Sequence, residues 1–518
     1  MPPSLTKRSK KGENSATEAL VCDNFIHGVF TPAKGGEYLD VESPTTGDVI
    51  GKVALSAKAD VDAAVAYAKA AFGPWSSLTV KARAAIMLKF HELIRHHVDE
   101  LADLVVLENG KNKSEAVASV LKGNETVEYA CSLPQLLQGR VLEVSRGITC
   151  HETRDPLGII VSIVPFNFPV MVPLWTVPIA LTTGNCVILK PSEKVPATMT
   201  RIAQLLAQAG VPPGVFQIVH GQAPSVTALV DHPDVHAVTF VGSSPVAQLI
   251  SRRCRAIDKR VLALGGAKNH LVALPDASVE ATARDVVASF AGCSGQRCMA
   301  ASVLLLVGNC SALVDAVVAK ATALTRGTGP GQVGAIIDGA SKRRILKYID
   351  EAEAGGATVL VDGRGWAHES KGYWVGPTVL VHTNPSDAAL HHEIFGPVLS
   401  IYQVHSFDEA LAIENASPFG NAACIYTSHG GNAEYFQSRF RAGMIGVNVG
   451  VPVPREPFSF GGMYGTQSKY GDMDITGDGC VEFCTHRRKI TAKWSPSEGQ
   501  TTAVSAGVTD RANFAGHM

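Results

Sequence analysis

The stretch Gly292-Cys293-Ser294-Gly295-Gln296-Arg297-Cys298-Met299-Ala300 holds the residue types that nucleophilic chemistry needs. A thiol attacks as thiolate, and a nearby cation or a set of free backbone N–H groups lowers its pKa. Arg297 offers the cation, and the glycines offer a turn with exposed N–H groups. A cysteine beside Met and Ala is otherwise a small core hydrophobe. What favours Cys298 is its company. The clusters Pro165-Phe166-Asn167, Lys190-Pro191-Ser192-Glu193 and Gly242-Ser243-Ser244 each follow a short apolar run.

Those runs are the elements that must position the chemistry. Leu157-Gly158-Ile159-Ile160-Val161-Ser162-Ile163-Val164 is almost continuously apolar, as suits a parallel strand buried on both faces. Strands at 187–189, 216–219 and 237–241 alternate with helices near 198–209, 225–229 and 245–251. Alternation of that kind predicts a parallel sheet with helices on both faces, and ligands in such folds sit beyond the carboxyl ends of the strands. The polar clusters stand at such ends and point to one cleft. Earlier, helical spacing covers 60–72, 81–109 and 115–130, and 141–148 reads as a strand. A second α/β series runs from Asn269, with strands at 271–274, 303–307 and 398–404 and helices at 285–293, 311–324 and 345–354. The segment 481–494 reads as a basic strand. Gly329-Pro330-Gly331-Gln332-Val333-Gly334 fits GxGxxG, but it follows a helix and carries Pro330, so it reads as a connecting loop.

The 518 residues, 46% apolar and 18% charged, suffice for two or three domains with full cores. A formal net charge of −1 argues against a nucleic-acid partner. The 11 cysteines are scattered, without CxxC pairs, and read as reduced thiols. No uncharged apolar run reaches the length of a membrane span. Residues 1–20 and 495–518 read as disordered tails. The first is basic and Ser-rich, as mitochondrial transit peptides are, but it has one arginine, two glutamates and no clear apolar face, so a cytoplasmic protein is expected, with a mitochondrial matrix location as the alternative.

From about Asn24 to Trp494 the chain resembles the aldehyde dehydrogenase superfamily, and within it the CoA-acylating methylmalonate-semialdehyde dehydrogenase group. The resemblance rests on 165–173, on 188–193, on Phe240-Val241-Gly242-Ser243, on Gly266-Ala267-Lys268-Asn269-His270, on Gly295-Gln296-Arg297-Cys298-Met299-Ala300 and on Glu393-Ile394-Phe395-Gly396-Pro397-Val398. It implies an α/β fold with a Rossmann-type NAD-binding domain (21–139 and 158–264), a catalytic domain (265–479) and a small β oligomerisation domain (140–157 and 480–494). It also implies a homodimer or homotetramer. It places the nucleophile at Cys298 and the oxyanion donor at Asn167, with the backbone N–H of Cys298 beside it. NAD would meet Val164, Phe166, Lys190, Ser192, Glu193, Lys194, Ser243, Gly265, Glu393 and Phe395. Arg297 and Lys122 would anchor a substrate carboxylate, Lys122 standing where the group carries arginine, with loss of the planar fork.

One departure bears on the reaction. Hydrolytic members carry a glutamate just before the Gly-Gly, where this chain has Leu264, and 261–275 contains no Asp or Glu. Without that base, water is a poor deacylating agent. Coenzyme A is therefore expected as co-substrate, a small malonate- or methylmalonate-type semialdehyde going to its acyl-CoA. The competing readings are release of a free acid from another small anionic aldehyde, and a catalytically silent relative with a binding or structural role. No metal is expected.

Overall fold

The computed structural model describes residues 20–368 and 371–494; the expected tails at 1–20 and 495–518 lie outside them, except Leu20, which begins the strand Leu20–Cys22. Four sheets organise the chain. The first has eight strands in the order Lys469–Tyr470, Arg260–Leu264, Ala237–Val241, Ile159–Ile163, Cys186–Lys190, Phe216–Ile218, Asn24–Ile26, Val29–Thr31. Its five central members are parallel, from Arg260–Leu264 to Phe216–Ile218. Every residue of Ile159–Ile163, Cys186–Lys190 and Ala237–Val241 is buried, which is why these runs are continuously apolar rather than alternating. Successive strands step outward in one direction from Ile159–Ile163 to Phe216–Ile218, and the next, Ala237–Val241, returns to the other side. The strand order thus reverses between Ile159–Ile163 and Ala237–Val241, and a crevice opens there at the carboxyl ends.

The second sheet has seven strands, Thr358–Val361, Thr378–His382, Val398–Val404, Ala301–Val307, Asn269–Ala273, Ala422–Tyr426 and Met444–Val447, all parallel except the first. One face packs on the helices Val279–Ala291 and Ser311–Thr322, the other on Phe407–Ala416 and Gly430–Gln437. A three-stranded antiparallel sheet joins Thr485–Lys493, Ile148–Pro156 and Arg140–Ser145, and a smaller one lies at the start of the chain.

Several sequence expectations need correction. The helix expected over 81–109 is two helices, Val80–His96 and Val98–Asn109, broken at His97, whose φ of −110° and ψ of 17° are not helical. The single strand at 141–148 is a hairpin turning at Gly147, with φ 71°. The helix expected at 285–293 is Val279–Ala291; it stops at Gly292, whose ψ of 141° is not helical, and the left-handed Cys293 and Ser294 follow. The segment 480–484 is helical (Gly477–Cys484), so the strand begins only at Thr485. A boundary at 479 also fails to separate the two main sheets. Lys469–Tyr470 pairs with Arg260–Leu264, and Phe460 stacks on Trp175 at 4.5 Å in the first core.

Candidate active site

The residues after Val279–Ala291 make a turn in which Cys293, Ser294 and Gly295 all have positive φ, 52°, 56° and 67°. Two of them are not glycine, so surrounding bonds must hold the strain. Glu115 accepts the Cys293 N–H at 2.7 Å, and the Ser294 hydroxyl donates to the Gly334 carbonyl at 2.7 Å. The Gln296 amide donates to Ala335 at 3.2 Å and accepts from Ile337 at 3.0 Å. Gly295 is obligatory, since a Cβ there would lie 2.0 Å from the Gly396 carbonyl oxygen. The turn is thereby pressed against the segment that carries Glu393 and Phe395.

Cys298 follows, partly buried. Its carbonyl oxygen receives two side-chain amides, Asn269 at 2.7 Å and Asn421 at 2.9 Å. These fix the peptide plane and so the direction of neighbouring N–H groups. Asn167, at the end of Ile159–Ile163, donates its amide to the Gln296 carbonyl at 2.9 Å, which brings it against the cysteine loop. Its own carbonyl is held by the Lys111 ammonium at 2.6 Å. Asn109 donates to the Phe166 carbonyl at 2.9 Å, so the loop that carries Asn167 is pinned from two sides.

Glu393 faces this loop. Its carboxylate accepts the Ala267 N–H at 2.8 Å and lies so close to Gly266 that a Cβ there would meet it at 2.4 Å. Burial raises the Glu393 carboxyl above its ordinary range, against the pull of the Ala267 N–H and Lys268. The Cys298 thiol is pushed up to about 12, by burial first and then by the Glu393 charge; the N–H groups of Cys298 and Met299 and the Arg297 cation oppose this only in part. The expectation that Arg297 and the glycine turn would give a lowered pKa is thus corrected: desolvation outweighs them, and in this arrangement the group is a thiol at neutral pH. Lys268, also buried, has no hydrogen-bond partner among the described residues, and burial brings its amine down to about 7.

The two expected carboxylate anchors do not converge. Arg297 turns back onto the end of Val279–Ala291, donating to the carbonyls of Ala288 and Ser289. Helix-end carbonyls lack intrahelical partners and carry partial negative charge, so they capture a nearby cation. Lys122 pairs with Glu125, and the same carboxylate meets Arg455 at 3.4 Å.

Most of the other expected residues stand at or just beyond the carboxyl ends of strands of the first sheet. Lys190, buried at the end of its strand, bonds Glu193 at 3.0 Å, and the Val164 N–H donates to the Lys190 carbonyl at 3.1 Å. Ser192 accepts the Lys194 N–H at 3.3 Å; the Lys194 ammonium pairs with Asp338 and lies 5.8 Å from the Phe166 ring centre. Phe166 and Phe395 meet edge to face at 6.0 Å. Ser243 is the N-cap of Ser244–Arg255 but its side chain makes no capping bond, which leaves N–H donors of that helix end open. The Gly265 N–H donates to Ser468 at 3.0 Å. Leu264 is buried in the first core; the carboxylate near this segment is Glu393, on the Ala267 N–H. Reading the sequence missed Asn421, Lys111 and Glu115 and gave Asn269 no role; an isolated Asn, Lys or Glu carries no spacing that marks it.

Three comparisons place the chain among known proteins. A profile described as the aldehyde dehydrogenase family matches residues 30–490. Malonate-semialdehyde dehydrogenase 1 of Geobacillus thermodenitrificans is 43% identical over 477 residues, 91% of this chain and 98% of the relative. Two crystal structures are close in shape. Methylmalonate-semialdehyde dehydrogenase from Oceanimonas doudoroffii has a TM-score of 0.90 at 38% identity, covering 92% of this chain and 99% of its own. A putative methylmalonate-semialdehyde dehydrogenase from Sinorhizobium meliloti, complexed with NAD, has a TM-score of 0.91 at 35% identity, covering 93% and 100%.

Proposed function

This chain belongs to the aldehyde dehydrogenase family, and from that premise we propose that it oxidises a small acidic semialdehyde with NAD and passes the acyl group to coenzyme A. The relatives named for malonate and methylmalonate semialdehyde support the substrate class. The Cys298 thiol gives up its proton to solvent and attacks the aldehyde carbon as thiolate, and the oxyanion is met by the Asn167 amide and the Cys298 N–H. NAD, when bound, accepts the hydride. What remains on Cys298 is a thioester, and attack by the coenzyme A thiol on its carbonyl carbon breaks the bond to Cys298.

The residues fit NAD. A carboxylate and an ammonium, Glu193 and Lys190, stand together at one strand end, able to meet adjacent ribose hydroxyls. The uncapped N-terminus of Ser244–Arg255 offers N–H groups and a positive helix end to phosphates. Val164 and Phe166 stand at the strand-order reversal between them.

Lys122 and Arg455 share one carboxylate, Glu125, so one positive charge remains for an acidic substrate tail. The oligomer expected from the sequence is supported by exposed Val141, Leu142, Val144 and Ile490 and by Trp494, 87% exposed, on or next to the three-stranded sheet. A second copy of the chain is the natural cover for that patch. The eleven free cysteines support a reducing, cytoplasmic setting.

The observation that carries the coenzyme A reading is the buried Leu264 where a deacylating glutamate would stand, within a segment free of Asp and Glu. A second reading, slow release of the free acid, draws on Glu393, whose charge reaches Cys298. A stopped-flow assay separates them. With NAD and semialdehyde alone, one NADH per site should appear and turnover should then stall until coenzyme A is added. Full steady turnover without coenzyme A would overturn the acyl-transfer reading.

A further inference from the structure

The segment 108–115 bonds to three parts of the site at once. The Glu108 carboxylate accepts the N–H groups of Ala197 at 2.7 Å and Thr198 at 3.0 Å, at the start of the helix Ala197–Ala209 that follows the loop of Lys190 and Glu193. Asn109 and Lys111 hold the carbonyls of Phe166 and Asn167. Glu115 holds the Cys293 N–H. The segment is itself fixed. Gly110, with φ 78°, makes the corner after Val98–Asn109, and its carbonyl accepts the Ala335 N–H at 3.0 Å. Asn112 caps the helix Lys113–Leu136, accepting the Glu115 N–H at 2.9 Å.

Lys111 differs from its neighbours in carrying a buried charge. It is 3% exposed, and its ammonium makes no ion pair among the described residues. Burying a charge in this way is costly. The ammonium bonds the Asn167 carbonyl at 2.6 Å and lies 4.4 Å from the Phe168 ring centre. It also bears on the Cys293 thiol, opposing the rise that burial imposes there. It thus stands between the loop of Asn167 and the cysteine turn. A neutral brace would cost less, and costly buried groups are characteristic of functional sites.

The Asn167 amide has two N–H groups. One is taken by the Gln296 carbonyl at 2.9 Å. The other is the donor left for an oxyanion, and its aim depends on where the Asn167 backbone stands. Lys111 holds that backbone at the Asn167 carbonyl itself. We propose that Lys111 is a positioning residue for aldehyde oxidation, its ammonium fixing Asn167 against the cysteine turn so that the remaining amide N–H points at the oxyanion. The proposal rests on the reading of Asn167 as oxyanion donor.

The test uses the full chain with NAD and malonate semialdehyde, and reads the rate of the first NADH turnover by stopped flow. Asn167→Ala should slow it by about 100- to 1,000-fold, the loss of an oxyanion donor. Lys111→Met should slow it by about 10- to 100-fold, the effect of a misplaced donor. The double variant should be no slower than Asn167→Ala alone, because Lys111 acts through Asn167. Alkylation of Cys298 by iodoacetamide, read by mass spectrometry of its peptide, should hardly change in Lys111→Met. That reaction displaces iodide without forming an oxyanion, and the side-chain charges that bear on the Cys298 thiol are those of Glu393 and Arg297. Lys111→Gln, whose shorter side chain falls short of the carbonyl, should show the same pattern and decides the matter if Lys111→Met does not fold. An unchanged first turnover in Asn167→Ala overturns the reading beneath the proposal. A slow Asn167→Ala beside a fast Lys111→Met overturns the proposal alone. So do losses that add in the double variant, or alkylation that slows in step with turnover, since either would make Lys111 a general brace of the fold.

Discussion

Asn421 donates its side-chain amide to the carbonyl oxygen of Cys298 at 2.9 Å, across 123 residues of chain. With Asn269 on the same oxygen at 2.7 Å, the orientation of the Cys298 peptide is set from the start of two strands of the second sheet, Asn269–Ala273 and Ala422–Tyr426.

Asn421→Ala should therefore lower kcat by about 10- to 100-fold, the effect of losing a hydrogen bond worth about 1–3 kcal/mol in a buried site. KM for NAD should hardly move, because the proposed cofactor contacts of Lys190, Glu193 and Ser243 all stand at strand ends of the first sheet. Steady-state kinetics with NAD and semialdehyde varied in turn reads this split; an unchanged kcat would assign the bond to folding alone.

Cys298→Ser should abolish turnover while leaving NAD binding, followed by fluorescence, intact. Serine lacks an activating base here. Cys293→Ser should keep most activity, since Cys293 is buried in the left-handed turn with its N–H tied to Glu115. The reverse pattern would refute the assignment of the nucleophile.

Glu393→Gln should act in two directions. A negative charge beside a thiol opposes thiolate formation, so its removal lowers the Cys298 pKa from about 12. Alkylation of cofactor-free protein, followed from pH 7 to 10, should speed up in the variant and its profile should shift to lower pH. In the unaltered protein the rate should still be rising at the top of that range. Turnover should fall in the same variant, because the proposed contact of the Glu393 carboxylate with the cofactor is lost.

Arg297→Ala should cost about 1–2 kcal/mol of stability, the loss of a cation on helix-end carbonyls, read as a lowered Tm. Its kinetic loss should be equal for a semialdehyde and for an uncharged aldehyde of equal length. Lys122→Ala should raise KM for the charged substrate alone. A selective loss in Arg297→Ala would show that the guanidinium leaves Ala288 and Ser289 to meet the substrate.

Leu264→Glu should introduce slow coenzyme A-independent turnover after the first NADH per site, if the position of the family glutamate is matched. It should also lower stability by several kcal/mol, since a carboxylate replaces a side chain in the first core. Unfolding curves below pH 5, where the new carboxyl is protonated, should recover part of that loss.

Much of the fold was legible because it is written in local patterns. The buried strands Ile159–Ile163, Cys186–Lys190 and Ala237–Val241 stand out as apolar runs, and each ends in polar residues that line the crevice. Breaks were less legible. Nothing in the helical spacing of 81–109 marks His97, and nothing in 285–293 marks the left-handed Cys293 and Ser294, because contacts from Glu115 and Gly334 impose them.

The sequence by itself determined the class of chemistry through its resemblance to the aldehyde dehydrogenase family. That resemblance gives meaning to a cysteine among Gly, Gln and Arg, to Asn167 beyond a strand, and to a segment from 261 to 275 without Asp or Glu; periodicity placed most of them on their elements. Only the tertiary structure decided what each charge does. Arg297 caps a helix, Glu393 raises the thiol it faces, Lys268 has no hydrogen-bond partner among the described residues, and Asn421, just before the strand Ala422–Tyr426, holds the Cys298 carbonyl. Electrostatic and hydrogen-bond roles depend on separation and burial in three dimensions. Those are set by long-range packing, which no local pattern encodes.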